Sequence, residues 1–191
     1  MARAGKHTRI YKTETGERVY GVMAEFGSPA ELYHAAEKVR EAGYRRWDVY
    51  SPFAIHGMDE AMGNPTTRLP LLVGVLGLTG AGLGYLMQWW ISAQAYPLVV
   101  QGKPPGAWEQ FVPITFECGV IFTAFSALLG MLAFNRLPMW YHPLMKKQRF
   151  LRASDDKFFI AIEARDEKFD PAGTRTLLQK AGAVAIELVE E

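Results

Sequence analysis

Four residues of this chain have side chains that could transfer protons or bind a ligand. They are Glu117, His56, Asp59 and His142. Glu117 is the only acidic residue in the apolar stretch Val112 to Phe134. An acid inside a membrane span is a candidate proton relay, but near a helix start it is also favoured structurally by the helix dipole. Both interpretations stay open. His56 and Asp59 lie three residues apart, a spacing that suits ligands on a helical turn, and His142 could contact a quinone headgroup or a haem.

Each of these residues also has a structural interpretation. No further His or Cys accompanies His56 and Asp59, so we favour a turn or interface role for both. A single His142 cannot provide two axial haem ligands, and we expect it to be an interface residue, like its neighbour Trp140. Cys118 is expected to pack as a small residue. No catalytic triad, zinc signature, c-type haem motif or phosphate-binding loop is present. We therefore expect no catalytic residue, cofactor or metal on this chain.

Composition excludes several classes of protein. The chain has 191 residues, a formal net charge of +1 and 49% hydrophobic residues. A near-zero net charge gives no basic surface for nucleic acid. One cysteine excludes an intrachain disulfide framework, a Cys-only zinc site and a Cys-ligated iron–sulfur cluster.

The apolar residues are concentrated in the middle of the chain. No Asp, Glu, Lys or Arg occurs from Leu69 to Gly102. A membrane-spanning helix needs about 20 mainly apolar residues, and the segments 70–91 and 112–134 both satisfy this. We predict a transmembrane hairpin over residues 69–134. The alternative, two buried helices of a soluble core, is disfavoured because little other chain is left to cover them.

The basic residues predict the orientation of this hairpin. The loop between the spans has only Lys103, offset by Glu109. The basic residues that flank the spans on the other side are Arg68, Arg136, Lys146, Lys147, Arg149 and Arg152. Because cytoplasmic flanks carry the excess of Lys and Arg, both termini are expected to be cytoplasmic. Trp140 and Tyr141 are expected at the inner membrane boundary, where aromatic rings are common.

Small residues recur along both predicted spans at helical spacing. Such residues let helix backbones approach closely in lipid. The predicted helix-packing residues are Gly74, Gly77, Gly80, Ala81, Gly84, Gly119, Thr123, Ala127 and Gly130. Their packing partner is either the other span or another protein.

The flanking segments predict one soluble α+β domain split by the hairpin. Residues 19–55 and 155–191 each have the order strand, helix, strand, and residues 1–18 form a polar extension without a signal peptide. Residues 56–68 and the basic stretch 135–154 connect these halves to the hairpin. Two such units with right-handed crossovers predict a ferredoxin-like (β-α-β)2 sandwich. An ACT-like or other two-layer arrangement is the nearest alternative.

Strand faces and helix ends follow from the same pattern. On the first strand, Tyr20, Val22, Ala24 and Phe26 should share the core face. Ser28-Pro29-Ala30-Glu31 predicts a capped helix start and Gly43 a helix end. In the second half, Asp170-Pro171 and Gly182 have the same roles. The predicted core face of the last strand is formed by Val184, Ile186 and Leu188.

Specific strings carry a family resemblance. They are YGVMAEFGSPAELYHAAEKVREAGYRRWDVYSPFAIHGMDEAMG, RLP before a glycine-rich span ending in QWW, YPLVVQGKPPGAWEQFVPITFE, LPMWYHPL and DDKFFIAIEA. From about Tyr20 to the C-terminus the chain closely resembles the ActD family, the small two-span subunits of bacterial alternative complex III. That complex is a quinol:electron-acceptor oxidoreductase of respiratory chains.

The resemblance implies a non-haem subunit in the bacterial inner membrane. Haem c, iron–sulfur clusters and the quinol site would lie on partner subunits, with membrane lipids as further neighbours. The leading hypothesis is a non-catalytic accessory subunit that supports assembly of the quinol-oxidising membrane subunits. The alternatives are a contribution to proton transfer through Glu117, or a stand-alone membrane sensor whose ferredoxin-like domain binds a ligand.

Overall fold

A computed structural model describes residues 10–13, 16–99 and 101–191. The chain separates into two compact units. The head unit comprises Met1–Pro65 and Trp140–Glu191, and the hairpin unit comprises Thr66–Met139. Most of the predicted polar extension, residues 1–18, lies outside the described residues.

The head unit is a four-stranded antiparallel sheet with two main helices. The elements before the hairpin are β1 (Val19–Phe26), α1 (Pro29–Glu41), β2 (Trp47–Tyr50) and the short α2 (Met58–Met62). Those after it are β3 (Phe158–Glu163), α5 (Pro171–Ala181) and β4 (Ala185–Glu190). The strand order is β2-β3-β1-β4, so β3, which follows the hairpin, pairs with both strands that precede it.

Side-chain caps set the starts of the two main helices. The Ser28 hydroxyl accepts a hydrogen bond from the Glu31 N–H at 3.3 Å, and the Glu31 carboxylate accepts one from the Gly27 N–H at 3.0 Å. Asp170 likewise accepts from the Gly173 N–H at 2.7 Å. These bonds satisfy N–H groups that have no partner within the helix. The predicted helix starts are therefore confirmed.

Glycines end both helices as predicted. Gly43 and Gly182 follow α1 and α5 with φ angles of 81° and 103°. Such left-handed angles are accessible to glycine because it has no Cβ. The chain can therefore leave each helix and enter the strand that follows it.

The main core lies between one face of the sheet and the helices α1 and α5. Val22, Ala24 and Phe26 of β1 contribute to it, as the alternation predicts. From the other elements, the core residues include Leu32, Val39, Phe158, Ile160, Ile162 and Leu178. Phe158, Ile160 and Ile162 therefore form the inward face of β3.

The prediction for Tyr20 is wrong, because β1 contains a bulge. The pairing of β1 with β4 shifts between Val19 and Gly21. One extra residue in a strand moves every preceding side chain to the opposite face. Val19 therefore joins the main core and Tyr20 packs on the other side of the sheet. At Gly21 the strands approach so closely that a Cβ would lie 2.2 Å from the Ile162 carbonyl oxygen.

The last strand also differs from its prediction. Ile186 and Leu188 pack against the main core, but Val184 precedes β4 and is 67% exposed. Its N–H donates to the Glu25 carbonyl at 2.8 Å. Val184 therefore lies at a bend before β4, and this hydrogen bond already ties it to β1.

The opposite face of the sheet is covered by residues 140–154, which we call the covering segment. It contains two 3-10 helices, Pro143–Lys146 and Gln148–Ser154. Leu144, Phe150 and Ala153 from this segment form a second core with the sheet. The sheet residues of this core are Met23, Phe159, Ala161 and Val189. The sheet is thus buried on both faces.

The hairpin unit consists of two long antiparallel helices. The first is α3 (Leu69–Trp89), which continues as a π-helix over Trp90–Ala95. A 3-10 turn, Trp108–Phe111, precedes α4 (Val112–Phe134). Both are long and apolar enough to cross a membrane, and only 11% of the most apolar window of each is buried. The core helix of a soluble protein would be mostly buried, so the exposure of these apolar helices is compatible with a membrane location.

Candidate functional site

Glycines of α3 form the contact with α4. A Cβ at Gly77 would lie 2.3 Å from the Thr123 Oγ1, one at Gly80 would lie 2.5 Å from the Phe122 Cβ, and one at Gly84 would lie 2.8 Å from the Cys118 Cβ. Real Cβ atoms do not approach other atoms so closely. We call this line of contacts the glycine seam.

Residues of α4 complete the glycine seam. A Cβ at Gly119 would lie 3.3 Å from the Ala81 Cβ, and one at Gly130 would lie 2.9 Å from the Leu69 side chain. Ala127 is half-buried, and its neighbour Ser126 is buried and donates to the Thr123 carbonyl at 2.9 Å. The other span is therefore a packing partner of the predicted small residues.

Gly74 differs from the other predicted packing residues. A Cβ at this position would meet no atom within 4 Å. Gly74 instead lines an apolar groove of about 790 Å³ on one side of the hairpin. Thr115 and Thr123 also line it, but their hydroxyls already hydrogen-bond within the hairpin. The groove therefore presents an almost wholly apolar surface.

An amide at one end of the glycine seam links the two helices. The Gln88 side-chain nitrogen donates to the Gly84 and Phe111 carbonyls at 3.0 and 3.2 Å and contacts the Thr115 Oγ1 at 3.3 Å. Sequence reasoning missed this residue. Its signal was available, since an amide within an apolar span is a candidate interhelical hydrogen bond.

Glu117 lies in the second turn of α4 and is exposed. It has no hydrogen-bond or ion-pair partner in the part of the chain that the structure describes. Its neighbour Cys118 faces α3 in the glycine seam, so the two adjacent residues have different surroundings. The Glu117 carboxylate is therefore not part of the contact between α3 and α4.

His56 and Asp59 are not brought together with other ligand types. Both are exposed, and Asp59 lies in the first turn of α2. Across residues 10–13, 16–99 and 101–191, no group of three His, Cys, Asp or Glu side chains could hold a metal ion. The surroundings of these two residues therefore fit a surface role.

His142 is held within the head unit. Its Nδ1 accepts from the Leu144 N–H at 3.3 Å, so the ring proton lies on Nε2, which is 3.2 Å from the Tyr20 hydroxyl. Both ring nitrogens are therefore engaged in this arrangement. Its neighbour Trp140, in contrast, is 95% exposed.

The Tyr20 hydroxyl keeps its proton at neutral pH. Burial, with a smaller contribution from the Glu163 charge, raises the pKa of Tyr20 to about 12. Burial also raises the pKa of Asp48, although the Val49 N–H and His142 oppose this shift. The contact between Tyr20 and His142 is therefore a structural hydrogen bond that fastens the covering segment to β1.

An ion-pair network fastens the covering segment at a second place. Glu25 of β1 is only 4% exposed, and its carboxylate lies 2.7 Å from the Arg149 guanidinium and 3.5 Å from the Lys157 ammonium. Arg149 also contacts Glu187 of β4 at 2.8 Å. A buried carboxylate needs such partners because its loss of hydration is costly.

Sequence reasoning missed the Glu25 network as well. Glu25 lies between Ala24 and Phe26, so the alternation of β1 puts it on the face opposite the main core, but this alternation does not show that another segment covers that face. The basic residues after the second span were interpreted only as a topology signal. Their pairing with Glu25 depends on the covering segment folding back over the sheet, and no local pattern specifies this.

A known protein family matches most of this chain. The family model for the ActD subunit of alternative complex III matches residues 20–188. The chain belongs to this family. No curated protein matches the chain. The matched region includes both halves of the sheet and both long helices, so the resemblance drawn from the sequence strings is confirmed.

Family membership makes the chain a component of alternative complex III, an oxidoreductase complex, with the other subunits of that complex as its partners. The two apolar helices of the hairpin unit agree with a membrane location. Because the match runs from residue 20 to residue 188, it includes the head unit as well as the hairpin.

Proposed function

We propose that this chain is a non-catalytic accessory subunit that supports the assembly and stability of the quinol-oxidising membrane subunits. Haem c, iron–sulfur clusters and quinol would be bound by those partners. The observation that carries the proposal is the hairpin surface. Leu78, Phe116 and Phe125 are 60–78% exposed, while the glycines of the seam face the other helix. Such a surface suits contact with lipid and with other transmembrane helices.

The proposal includes a two-pass topology in the bacterial inner membrane with both termini cytoplasmic. The asymmetry of Lys and Arg around the spans supports it. We further propose a ferredoxin-like fold for the head unit. Its support is the strand order β2-β3-β1-β4, in which β3 separates β1 from β2 and the helices α1 and α5 share one face of the sheet.

Removing the chain from the native complex tests the proposal. We expect a strain without this chain to yield less intact complex, with unchanged quinol oxidation per haem in the complex that does assemble. Re-expression of the chain should restore the yield. An equal yield of equally heat-stable complex without the chain would contradict an assembly role.

A second candidate function is proton transfer through Glu117. It is favoured by the exposure of Glu117 in an apolar helix and by the absence of a partner for it in the described part of the chain. Glu117→Gln should then slow turnover of the assembled complex. The matched control is Glu109→Gln, an acid in the 3-10 turn before α4. Equal turnover of both variants would exclude this role.

A further inference from the structure

The covering segment has apolar side chains on two sides. Leu144 and Phe150 are buried against the sheet. Trp140, Met145 and Leu151 are 95%, 60% and 52% exposed, respectively. Single exposed apolar residues are common on protein surfaces, but three large ones in one short segment that already fills a core indicate a second contact.

The cations of this segment are directed towards the head unit. Lys147 pairs with Glu190 at 3.8 Å, and Lys146 donates to the Glu191 carbonyl at 2.6 Å. Arg149 holds Glu25, as described above, and Arg152 pairs with Asp156. Because these groups have protein partners, apolar contact and not charge would dominate the second contact of the segment.

The position of the segment in the chain favours one partner for this second contact. Phe134 ends α4, and Trp140 follows six residues later. Six residues reach at most about 20 Å when fully extended. If α4 spans a bilayer, the covering segment begins close to the headgroup layer. Tryptophan favours that layer because its ring is apolar and its N–H is polar.

We propose that the covering segment is a membrane-surface element. Trp140, Met145 and Leu151 insert at the boundary between headgroups and acyl chains, while Leu144 and Phe150 hold the sheet. The lipid surface is thereby bound by the same segment that closes the second core. This inference rests on the membrane anchoring in the proposed function, but not on the assembly role.

Site-directed spin labelling of the full chain in lipid nanodiscs tests the proposal. In a Cys118→Ala background, single labels are placed through Met145→Cys and Leu151→Cys. Val184→Cys is the matched control, since Val184 is an apolar head-unit residue with 67% exposure. All three positions are exposed, so the labels leave both cores intact.

The measured quantity is the ratio of collisions with oxygen to collisions with a water-soluble nickel chelate. We expect this ratio to be several-fold higher at positions 145 and 151 than at the control position 184. The ratio should be the same in phosphatidylcholine and in mixtures with phosphatidylglycerol. Ratios equal to the control would overturn the proposal and leave this face for a protein partner. A ratio that rises only with phosphatidylglycerol would also overturn it, in favour of charge-driven binding.

This experiment is independent of complex assembly. If the labels are aqueous but deletion of the chain lowers the yield of complex, the membrane-surface inference fails and the proposed function stands. If the labels insert into the membrane but deletion of the chain has no effect on the yield of complex, the membrane-surface inference stands and the proposed assembly role fails.

Discussion

The two units of this protein distribute their side chains in opposite ways. In the head unit, large residues such as Phe26 and Phe159 are fully buried. In the hairpin unit, the closest contacts are made by glycines, and large residues such as Leu78 and Phe125 point outward. Water drives apolar surface into the head core, whereas lipid provides no such drive between helices.

The two units also satisfy polar groups differently. The head unit buries the Glu25 carboxylate against two cations, which is possible beside water. The hairpin seam uses neutral hydrogen bonds, such as those of Gln88 and Ser126. Large side chains should therefore matter most for the stability of the head, and small ones for that of the hairpin.

The largest expected effect is that of Phe159→Ala. Phe159 is fully buried and packs against Phe150 with ring centroids 5.8 Å apart. Removing a buried phenyl ring costs about 3–5 kcal/mol. Amide hydrogen exchange of the sheet, measured on the full chain in detergent, should show this loss in the free energy of opening.

The matched control for that prediction is Phe125→Ala in the hairpin. Phe125 is 60% exposed, so its truncation should leave the exchange of the α3 and α4 amides nearly unchanged. The contrast between the units would be contradicted if Phe125→Ala lowered the free energy of opening as much as Phe159→Ala does.

Local patterns predicted the elements that depend on neighbouring residues. The cap at Ser28 and the helix end at Gly43 follow from short-range chemistry. The bulge at Tyr20 depends on pairing with β4, which is distant in sequence, and so the alternation failed there. The fold-back of the covering segment depends in the same way on contacts with the finished sheet.

The candidate site was predictable to a similar extent. Helical spacing identified Gly77, Gly80 and Gly84, because a seam of small residues is a periodic pattern. The same spacing included Gly74, which lies in the groove and not in the seam. Periodicity indicates a face of a helix, but which part of that face another helix covers depends on the crossing geometry.

The second prediction concerns overpacking of the glycine seam. Gly80→Leu should weaken the packing of α3 against α4, because a Cβ at residue 80 would already lie 2.5 Å from the Phe122 Cβ. Overpacking of this kind costs about 1–3 kcal/mol. Amide hydrogen exchange of α3 and α4, measured on the full chain in detergent, should therefore become faster around residues 80 and 122.

Gly82 provides the control for the seam. A Cβ at Gly82 meets no atom within 4 Å, so Gly82→Leu should leave the exchange of the α3 and α4 amides unchanged. If Gly80→Leu and Gly82→Leu had equal effects, the seam would not depend on close approach at Gly80.

The third prediction is a pH dependence in the head unit. Burial alone would raise the pKa of Asp166, but hydrogen bonds from the backbone N–H groups of Arg45, Lys168 and Arg46 lower it overall. The two shortest bonds, from Arg45 and Arg46, are 2.7 Å long. Asp166→Asn should cost about 1–2 kcal/mol at neutral pH, since hydrogen bonds to a charged group are stronger than those to a neutral one.

The sign of this dependence follows from linkage. A carboxyl group whose pKa is lowered in the folded state stabilises the protein above its unfolded pKa, about 3.9. That stabilisation is lost as the pH falls through the lower folded value. Urea unfolding curves of the wild type and Asp166→Asn should therefore differ at pH 7, begin to converge below about pH 4, and coincide only at a pH below the folded pKa of Asp166. A constant difference at all pH values would exclude the charge as its cause.

The smallest expected effect is that of Gln88→Leu. Interhelical hydrogen bonds in membranes contribute about 0.6 kcal/mol on average, and Gln88 makes its bonds to Phe111 and Thr115 at one end of the seam. We expect faster exchange of the α4 amides nearest residue 111 and no change near Gly130. A uniform effect along α4 would mean that Gln88 holds the whole hairpin together. Polar contacts would then share the role that the glycine seam has here, and the contrast with the head unit would be weaker.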